Sequence, residues 1–398
     1  MARSLDGPSD HGLSIPIEAP ERGRTLERPL RVMVLGLRGI VDVQGGIETH
    51  ARNLYPLLVR LGCEVEILQR SAYFRGRRLR RRCGVRLSYL WAPPITAVET
   101  AVHTLLGVLY AAIKRPDILH LHAVGPAFLT PLARLLGLRV VVTHHGADYL
   151  REKWGPIARR LLEAGEWAGM RGANGRIVVS KVLQERMREK YGVGAALIPN
   201  GAPRAGRVAT TDTVSRFGLR PRRYVLYVAR MDRGKRQLDL VDAFEAARPE
   251  GWKLALVGEV NARDAYTRHV IERARRNPDI VLTGFQRGRA LRELYSHCAV
   301  FVLPSSAEGH PIALLEALSY GAPVLSTAIP ENMAIPIPPE CFFPVGDTQA
   351  LAQRIASIAR GDGPAEAGTL QQLVRTRYSW RRAAQLTRAV YDDVLSGG

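Results

Sequence analysis

The sequence predicts an α/β protein built from two doubly wound, Rossmann-like domains. Its 398 residues are more than one hydrophobic core usually organises. Short apolar runs alternate with helix-like segments in both halves, as in parallel sheets whose strands are connected by helices. Small and polar residues interrupt this alternation at Asn200-Gly201-Ala202-Pro203. We therefore expect one domain on each side of this break.

The order of the elements supports this fold class. In the first half, strands are predicted at 30–35, 64–68, 118–121, 140–143, 177–180 and 196–199, and helices at 48–61, around 128–136, and at 182–190. In the second half, strands are predicted at 224–228, 253–257, 280–282 and 300–304, and a last helix at 378–391. Strands that alternate with helices in this way form βαβ units and parallel sheets.

Composition divides the chain further. Residues 1–29 are polar, charged and proline-containing, which predicts a disordered leader rather than a secretory signal. The first domain is then expected at 30–200, a linker at 201–216, the second domain at 217–377 and a helical end at 378–398. The most apolar stretch, 101–113, is too short for a membrane helix. Four scattered cysteines predict ordinary buried thiols and a cytoplasmic setting.

The chain is strongly basic, with a formal net charge of +20. Eight arginines and no acidic residue lie between Ile67 and Val98, a block that favours contact with a polyanion. We predict contact with an anionic membrane surface through Arg77, Arg78, Arg80, Arg81 and Arg82. A solvated basic loop is the alternative. No nucleic-acid module accompanies the block, so no specific nucleic acid is expected as a partner.

Two glutamates mark a candidate ligand site. Glu308 and Glu316 lie on either side of a predicted helix start, after a strand that stops at Pro304. Pro311 suits the first position of that helix. Free N–H groups at a helix start favour phosphate, and each carboxylate can accept hydrogen bonds from a pair of vicinal hydroxyls. The pattern predicts a site for a sugar nucleotide, whereas glutamates that only cap and solvate a helix are the alternative.

This stretch resembles the E-x7-E signature of retaining glycosyltransferases of the GT-B fold, family 4. Pro-Ser before the pair, Glu-Gly-x-Pro within it and Gly-x-Pro-Val after it strengthen the resemblance. The resemblance implies two domains that face each other across a cleft and a last helix that crosses back onto the first domain. It also implies donor binding by Glu308, Gly309, His310, Pro311, Ile312, Ala313 and Glu316.

Two further loops are similar to this family. Gly45-Gly46 precedes a helix and resembles the loop that faces the donor across the cleft. Arg230 and Lys235 follow a strand in a segment that resembles Gly-Arg-Leu-x-x-x-Lys. The resemblance implies that both cations neutralise the diphosphate of the donor. A plain glycine loop and a solvated basic turn are the alternatives.

The segment from His145 to Trp154 resembles a subgroup rich in bacterial polysaccharide rhamnosyltransferases. His145, Asp148 and Tyr149 replace the aspartate, glutamate and tryptophan that are usual there, which leaves the sugar and the acceptor open. We expect acceptor contacts from Asp148, Lys153 and Trp154. His145 either contacts the donor sugar or is a structural histidine at a strand end, with its hydrogen bonds made within the protein.

Together these features predict a retaining glycosyltransferase in bacterial surface polysaccharide synthesis. The expected acceptor is a glycan or a polyprenyl-diphosphate-linked lipid, and the subgroup suggests rhamnosyl transfer. The expected catalytic residues are Glu308, Arg230, Lys235 and His145. No metal or other cofactor is expected, because Arg230 and Lys235 would neutralise the diphosphate charge. The alternative function is a non-catalytic protein that binds polyanions or membranes on a transferase scaffold.

Overall fold

The structure is a computed structural model that describes residues 28–74, 78–93, 96–150, 154–204, 206–262, 264–362 and 367–397. Most of the predicted leader lies outside these residues, as do Arg77 and Lys153. Among the described residues, no helix combines the length and the apolar character needed to cross a bilayer.

The first domain contains an eight-stranded sheet with the order β3-β4-β2-β1-β5-β6-β7-β8. All neighbouring strands are parallel except β3 and β4, which form an antiparallel hairpin at one edge. The strands are β1 Leu30–Leu35, β2 Cys63–Arg70, β3 Arg81–Arg82, β4 Val85–Leu90, β5 Ile118–His122, β6 Val140–His144, β7 Gly175–Val178 and β8 Ala196–Leu197.

Helices cover both faces of this sheet, because its strands are apolar on both sides. The helices are α1 Gly46–Arg60, α2 Thr96–Lys114, α3 Val124–Ala127, α4 Thr130–Leu135, α5 Pro156–Gly172 and α6 Lys181–Tyr191. Helix α1 packs on one face, while α2, α4, α5 and α6 contribute to the core on the other. The helix predicted around 128–136 corresponds to α4, and α3 is an additional short helix before it. Pro131 lies in the first turn of α4, where its missing N–H costs no helical hydrogen bond.

The second domain contains a six-stranded, wholly parallel sheet with the order β11-β10-β9-β12-β13-β14. This is the doubly wound order, in which ligands bind where the strand order reverses. The strands are β9 Tyr224–Val228, β10 Lys253–Val257, β11 Ile280–Gly284, β12 Val300–Leu303, β13 Val324–Thr327 and β14 Phe342–Phe343. The helices are α7 Asp212–Arg216, α8 Gln237–Ala247, α9 Ala265–Arg276, α10 Gly288–His297, α11 Ile312–Ser319, α12 Pro330–Met333, α13 Thr348–Arg360 and α14 Ala367–Arg377.

The segment expected to be a linker is partly structured. Its last residues form α7, where Val214 is fully buried in the core of the second domain. The backbone N–H of Thr213 donates to the buried carboxylate of Glu293, at 2.7 Å. The segment is attached to the domain before α7 as well, because the Val208 N–H donates to the Ser296 hydroxyl and the Thr210 hydroxyl donates to the Glu293 carboxylate.

The last helix, α15 Trp380–Ser396, packs on the first domain. Trp380 and Tyr391 are buried in the same core as α1, and the Tyr391 hydroxyl lies 2.6 Å from Nδ1 of His120. The chain therefore passes between the domains twice, once near Ala202 and once near Ser379, and these two passages form a parallel bridge.

Candidate active site

A cavity of about 1020 Å³ lies between the two domains, at the carboxyl edges of both sheets. Ligands of doubly wound proteins bind at this edge. The cavity brings together nearly all the site residues expected from the sequence. Its lining includes Gly45, Gly46, His145, Trp154, Arg230, Lys235, Glu308, Gly309, His310, Pro311, Ile312, Ala313 and Glu316.

Two loops of the second domain place an ion pair in this cavity. Lys235 lies in a short turn after β9, where the Asp232 carboxylate accepts a hydrogen bond from the Gly234 N–H. The backbone N–H of Ser306 donates to the Gly234 carbonyl at 2.9 Å and ties this turn to the loop after β12. Lys235 Nζ then reaches Glu308 Oε1 at 2.5 Å. The pair is largely buried, so each charge compensates the desolvation of the other.

Helix α11 begins at the cavity wall. Pro311 has φ −75° and ψ 96° and is the N-cap residue, so the helix starts at Ile312, one residue later than expected. The first N–H groups of α11 have no hydrogen-bond partner within the helix, as at any helix start. Because Ile312 and Ala313 line the cavity, this positive helix end faces into it, and such a helix end favours negative charge.

Glu316 lies in the second turn of α11 and also lines the cavity. The Tyr295 hydroxyl donates to Glu316 Oε2 at 3.2 Å. Burial raises the pKa of Glu316 to about 7, although Tyr295 and the charge of Arg52 partly oppose the shift. Its protonation therefore changes in the neutral range, which is unusual for a carboxyl group.

The glycine loop of the first domain is held by an ion pair that sequence reasoning missed. Arg38 Nε donates to Glu48 Oε1 at 3.0 Å, and its guanidinium also contacts the Gln44 carbonyl. Burial alone would raise the pKa of Glu48, but Arg38 outweighs it and lowers that pKa. A Cβ on Gly45 would lie 1.8 Å from the Glu48 carboxylate, whereas one on Gly46 would meet no atom within 4 Å. A methyl group on Gly45 would therefore displace the side chains of the Arg38–Glu48 pair, whereas Gly46 leaves the cavity wall open.

The two domains touch directly beside Glu308. A Cβ built on Gly309 would lie 1.7 Å from the backbone carbonyl oxygen of His145, and one on Gly146 would lie 3.2 Å from the Gly309 Cα. The N–H of Glu259 also donates across the cleft to the Gln44 side chain at 2.6 Å. The cleft is therefore closed around the cavity, and glycine at position 309 permits this close contact.

Histidines form a buried cluster on the first-domain side. His122 Nδ1 lies 2.8 Å from His145 Nε2, and His50 Nδ1 lies 2.8 Å from the Asn200 side-chain oxygen. Burial lowers the pKa of His50 to about 4, and burial lowers the pKa of His122 and His145 well below its usual range. His145 is therefore neutral at physiological pH and acts through hydrogen bonds rather than charge.

The same cluster includes a group that could hold a metal. Among the described residues, His50, His122 and His145 each bring one ligand nitrogen within 4.8 Å of the others. Imidazole nitrogens suit zinc and other transition metals. Sequence reasoning missed His50 and His122. A signal existed for His122, since His120 and His122 alternate along β5 and lie on one face of the strand.

The backbone after His144 is braced by the buried carboxylate of Glu166. This group accepts hydrogen bonds from His144 at 2.7 Å and from Lys190 at 2.9 Å, and it also binds the hydroxyls of Tyr149 and Tyr191. Burial alone would raise the pKa of Glu166, but these partners lower it to about 2. The bracing fixes the start of the segment expected to meet the acceptor. In that segment Trp154 lines the cavity, Asp148 is described only by its backbone, and Lys153 lies outside the described residues.

The arginine block is not one uniform solvated surface. Arg70 is buried, and its guanidinium lies 3.3 Å from the Glu99 carboxylate at the cavity wall. Arg81 and Arg82 form β3, Arg80 is exposed, and the Arg78 guanidinium lies 5.3 Å from the Tyr89 ring centroid. Cys83, expected to be buried, is exposed because it lies in the β3–β4 turn with φ 49°. The exposed arginines thus belong to a hairpin at the sheet edge.

Known proteins resemble the chain in sequence and in structure. The chain is 26% identical to the putative teichuronic acid biosynthesis glycosyltransferase TuaC of Bacillus subtilis over 60% of its own length and 59% of that relative. It is 24% identical to one component of the human phosphatidylinositol N-acetylglucosaminyltransferase over 88% of this chain and 73% of that relative. The structure matches Anabaena HepE in complex with UDP-glucose with a TM-score of 0.74 and 16% identity, over 91% of this chain and 99% of that one.

Two family models match successive parts of the chain. A model described as Glycosyltransferase Family 4 matches residues 44–205, and one described as Glycosyl transferases group 1 matches residues 222–360. The boundary between them coincides with the passage between the two sheets. The predicted GT-B fold is confirmed by its solved neighbours. The first domain is therefore similar to glycosyltransferase family 4 and the second to glycosyl transferases group 1, in the GT-B arrangement.

Proposed function

We propose that this protein is a glycosyltransferase that moves a sugar from a nucleotide-sugar donor to a glycan or a lipid-linked acceptor in the synthesis of a bacterial surface polysaccharide. One observation carries the proposal. The Lys235–Glu308 pair, the start of α11 and Glu316 line a single cavity between the domains. This set provides a cation, free backbone N–H groups and two carboxylates, which match a diphosphate and two pairs of hydroxyls.

In the proposed complex the diphosphate lies at the start of α11. Arg230 and Lys235 then bind its oxygens, and Lys235 exchanges the Glu308 carboxylate for phosphate. Glu308, released from this pair, accepts hydrogen bonds from the sugar hydroxyls. Glu316 accepts hydrogen bonds from the ribose. The ion pair thus neutralises Lys235 and Glu308 until the donor binds. The diphosphate then replaces Glu308 as the partner of Lys235, and the sugar hydroxyls replace Lys235 as the partners of Glu308.

We propose that transfer retains the configuration of the sugar. The bond between the anomeric carbon and the diphosphate oxygen breaks, and the acceptor hydroxyl forms a new bond on the same face. Its proton passes to the departing phosphate oxygen. Arg230, Lys235 and the positive end of α11 stabilise the negative charge that develops there. The neutral imidazole of His145 positions the sugar by hydrogen bonding.

The donor sugar and the acceptor are part of the same proposal. The resemblance of the segment from His145 to Trp154 favours dTDP-rhamnose, with UDP-glucose and GDP-mannose as the alternatives. TuaC is named for teichuronic acid biosynthesis, which supports a surface polysaccharide, and the human relative is named for a phosphatidylinositol acceptor, which supports a lipid-linked one. A cytoplasmic protein held at the inner face of the membrane would meet such an acceptor.

Donor turnover tests this function. The full chain is incubated with dTDP-rhamnose, UDP-glucose or GDP-mannose and with a bacterial lipid extract, and release of the nucleoside diphosphate is measured together with labelled lipid product. We expect product with one donor. A non-catalytic polyanion-binding protein, the rival function, would bind lipid or RNA and release no nucleoside diphosphate from any of the three.

A further inference from the structure

The cavity between the domains has an apolar wall that the donor does not explain. Arg230, Lys235 and Glu308 line its charged part. The first domain supplies an apolar part, lined by Val102 and Leu105 of α2, Phe128 and Leu129 after α3, and Ala158, Leu161 and Leu162 of α5. A nucleotide sugar carries no extended hydrocarbon chain, so this aliphatic wall fits a different ligand of the same cavity.

Three helices converge along this wall. A Cβ built on Gly125 of α3 would lie 3.6 Å from the Leu162 side chain of α5 and 3.7 Å from the Thr100 side chain of α2. The three helices therefore approach one another at Gly125, which itself lines the cavity. Most of the wall residues lie on helices, and Phe128 and Leu129 lie in the short connection between α3 and α4.

The apolar wall continues onto the outer surface of the first domain. Leu105, Phe128 and Leu161 line the cavity and are also 41%, 45% and 56% exposed. Further exposed apolar side chains follow at helical spacing on both flanking helices. We define the apolar face by Leu105, Leu109, Ile113, Phe128, Ile157 and Leu161. A set of exposed apolar side chains that continues a cavity wall marks an interaction surface, whereas single exposed ones are ordinary.

Basic residues accompany the apolar face. Lys114 and Arg115 are exposed at the end of α2, and Arg159 and Arg160 are exposed on α5. Glu163 of α5 is the exposed acidic residue among them. Cations around an apolar helix surface fit an anionic bilayer, where each basic residue adds attraction. The same cations disfavour a second copy of the chain, because a twofold interface would place them against each other.

We infer that the acceptor carries a hydrocarbon chain, that this chain lies along the apolar wall between α2 and α5, and that the apolar face sits on the anionic bilayer from which the chain comes. The inference rests on the proposed function and names the class of acceptor. It places the reacting hydroxyl near Glu308 and the lipid tail towards the exposed side of Leu105 and Leu161. The arginines of the β3–β4 hairpin then add long-range attraction rather than the contact itself.

Vesicle binding tests the apolar face. The full chain is floated with vesicles of phosphatidylglycerol and phosphatidylcholine, or of phosphatidylcholine alone. We expect binding to the anionic vesicles, weakened by at least about tenfold in the double variant Leu109→Glu and Ile157→Glu, because charges oppose insertion of an apolar surface. Neither residue lines the cavity. The matched control is Leu373→Glu with Leu386→Glu, which adds the same charge at exposed leucines of α14 and α15 and leaves binding unchanged.

The hydrocarbon chain is tested separately with farnesyl phosphate, a short polyprenyl probe. We expect it to raise the melting temperature of the full chain more than inorganic phosphate does. Leu161→Asp should remove this difference and keep the shift given by the nucleotide-sugar donor. Equal shifts with farnesyl phosphate and inorganic phosphate would overturn the assignment of the apolar wall.

The outcomes separate this inference from the proposed function. Donor turnover without binding to anionic vesicles, or equal loss of binding in the control variant, overturns the inference and keeps the transferase. Vesicle binding without turnover of any donor overturns the transferase. A dimer that the Leu109→Glu and Ile157→Glu variant dissociates, without vesicle binding, assigns the face to a second copy and also overturns the inference.

Discussion

Lys235 and Glu308 come from separate loops of the second domain, and their side chains form a 2.5 Å ion pair in the wall of the cleft. Each belongs to a different βα loop, after β9 and after β12, and these two strands are neighbours in the sheet. In the function proposed above, a bound diphosphate would compete for the lysine and the sugar hydroxyls would compete for the glutamate. We therefore expect donor binding to break this pair.

Removal of either partner should abolish transfer. Lys235→Ala and Glu308→Ala each lose a group that stabilises the transition state, and we expect a loss of about 100-fold or more in turnover. Circular dichroism should show that the fold is kept. Lys181→Ala, which removes an exposed lysine on α6, is the control and should retain full turnover. Normal turnover in both site variants would show that the pair has no catalytic role.

Glycine at position 309 should be required for closure. Gly309→Ala would place a methyl group against the backbone carbonyl of His145, and neither atom belongs to a flexible side chain that could move away. We expect a more open molecule by small-angle X-ray scattering and about tenfold or greater loss of turnover, since misplacement of reacting groups is costly. Gly155→Ala, where an added Cβ meets no atom within 4 Å, is the matched control. An unchanged scattering profile with full activity would show that the contact is dispensable.

Donor affinity should depend on pH through Glu316. Burial raises the pKa of this carboxyl to about 7, so its ionised fraction increases as the pH rises through the neutral range. The ionised form accepts stronger hydrogen bonds from the two ribose hydroxyls, because both of its oxygens are charged acceptors, whereas protonation turns one of them into a donor. Affinity measured by titration calorimetry should therefore rise with pH, and Glu316→Gln should bind more weakly and without this dependence. A pH profile that the substitution leaves intact would assign the titration to another group.

Stability should fall as the pH drops below the ordinary histidine pKa of 6.5, because burial lowers the pKa of His50 to about 4 and that of His120 to about 3. The unfolded chain binds protons in this range while the folded chain does not, so low pH favours unfolding. Between its ordinary pKa and its lowered pKa, each such histidine reduces the free energy of unfolding by about 1.4 kcal/mol for each unit by which the pH falls. The raised pKa of Glu316 opposes this trend, since the folded state then binds the extra proton.

Urea unfolding between pH 4 and pH 7 measures how the free energy of unfolding changes with pH. This range spans the ordinary pKa of a histidine, 6.5, and the lowered pKa of His50, about 4. His50→Gln should reduce the slope, because glutamine does not titrate. His269→Gln, at an exposed position on α9, is the control and should leave it unchanged. Equal slopes in all three proteins would mean that the buried cluster is already protonated in the folded state.

Transfer should survive a chelator, because Arg230, Lys235 and the start of α11 neutralise the diphosphate. Turnover measured with and without EDTA should agree. Loss of turnover that magnesium restores would reject the cationic scheme. Loss that zinc alone restores would point to His50, His122 and His145 as a bound-metal site.

The sequence predicts most of the fold and the second-domain loops that line the cavity, because these depend on local patterns. Apolar runs mark the strands, and Glu308 and Lys235 each follow a strand end. Arg70 shows what local patterns miss. In the sequence it is one of the eight arginines between Ile67 and Val98, a range without acidic residues. Its partner, Glu99, follows directly after this range, and the buried pair forms only through tertiary packing.

The histidine cluster and the apolar face were missed for a similar reason. His50 has no local signal, since it is one polar residue on an amphipathic helix, and it meets Asn200 only after the domain folds. The spacing of Leu105 and Leu161 is that of any core-facing helix. Their exposure depends on which side of α2 and α5 faces the sheet, and only the packed structure decides this.

Hydrogen–deuterium exchange of the full chain, with and without the nucleotide sugar that it turns over, most directly tests whether the cleft binds the donor. Binding at the proposed site should protect the backbone amides of Gly309, His310 and residues 312–314, at the start of α11, together with those of Gly45 and Gly46 on the opposite domain. The exposed helix α9 provides an internal reference that should not change. Protection confined to the α2–α5 face, or no protection at either loop, would contradict a donor site between the two domains.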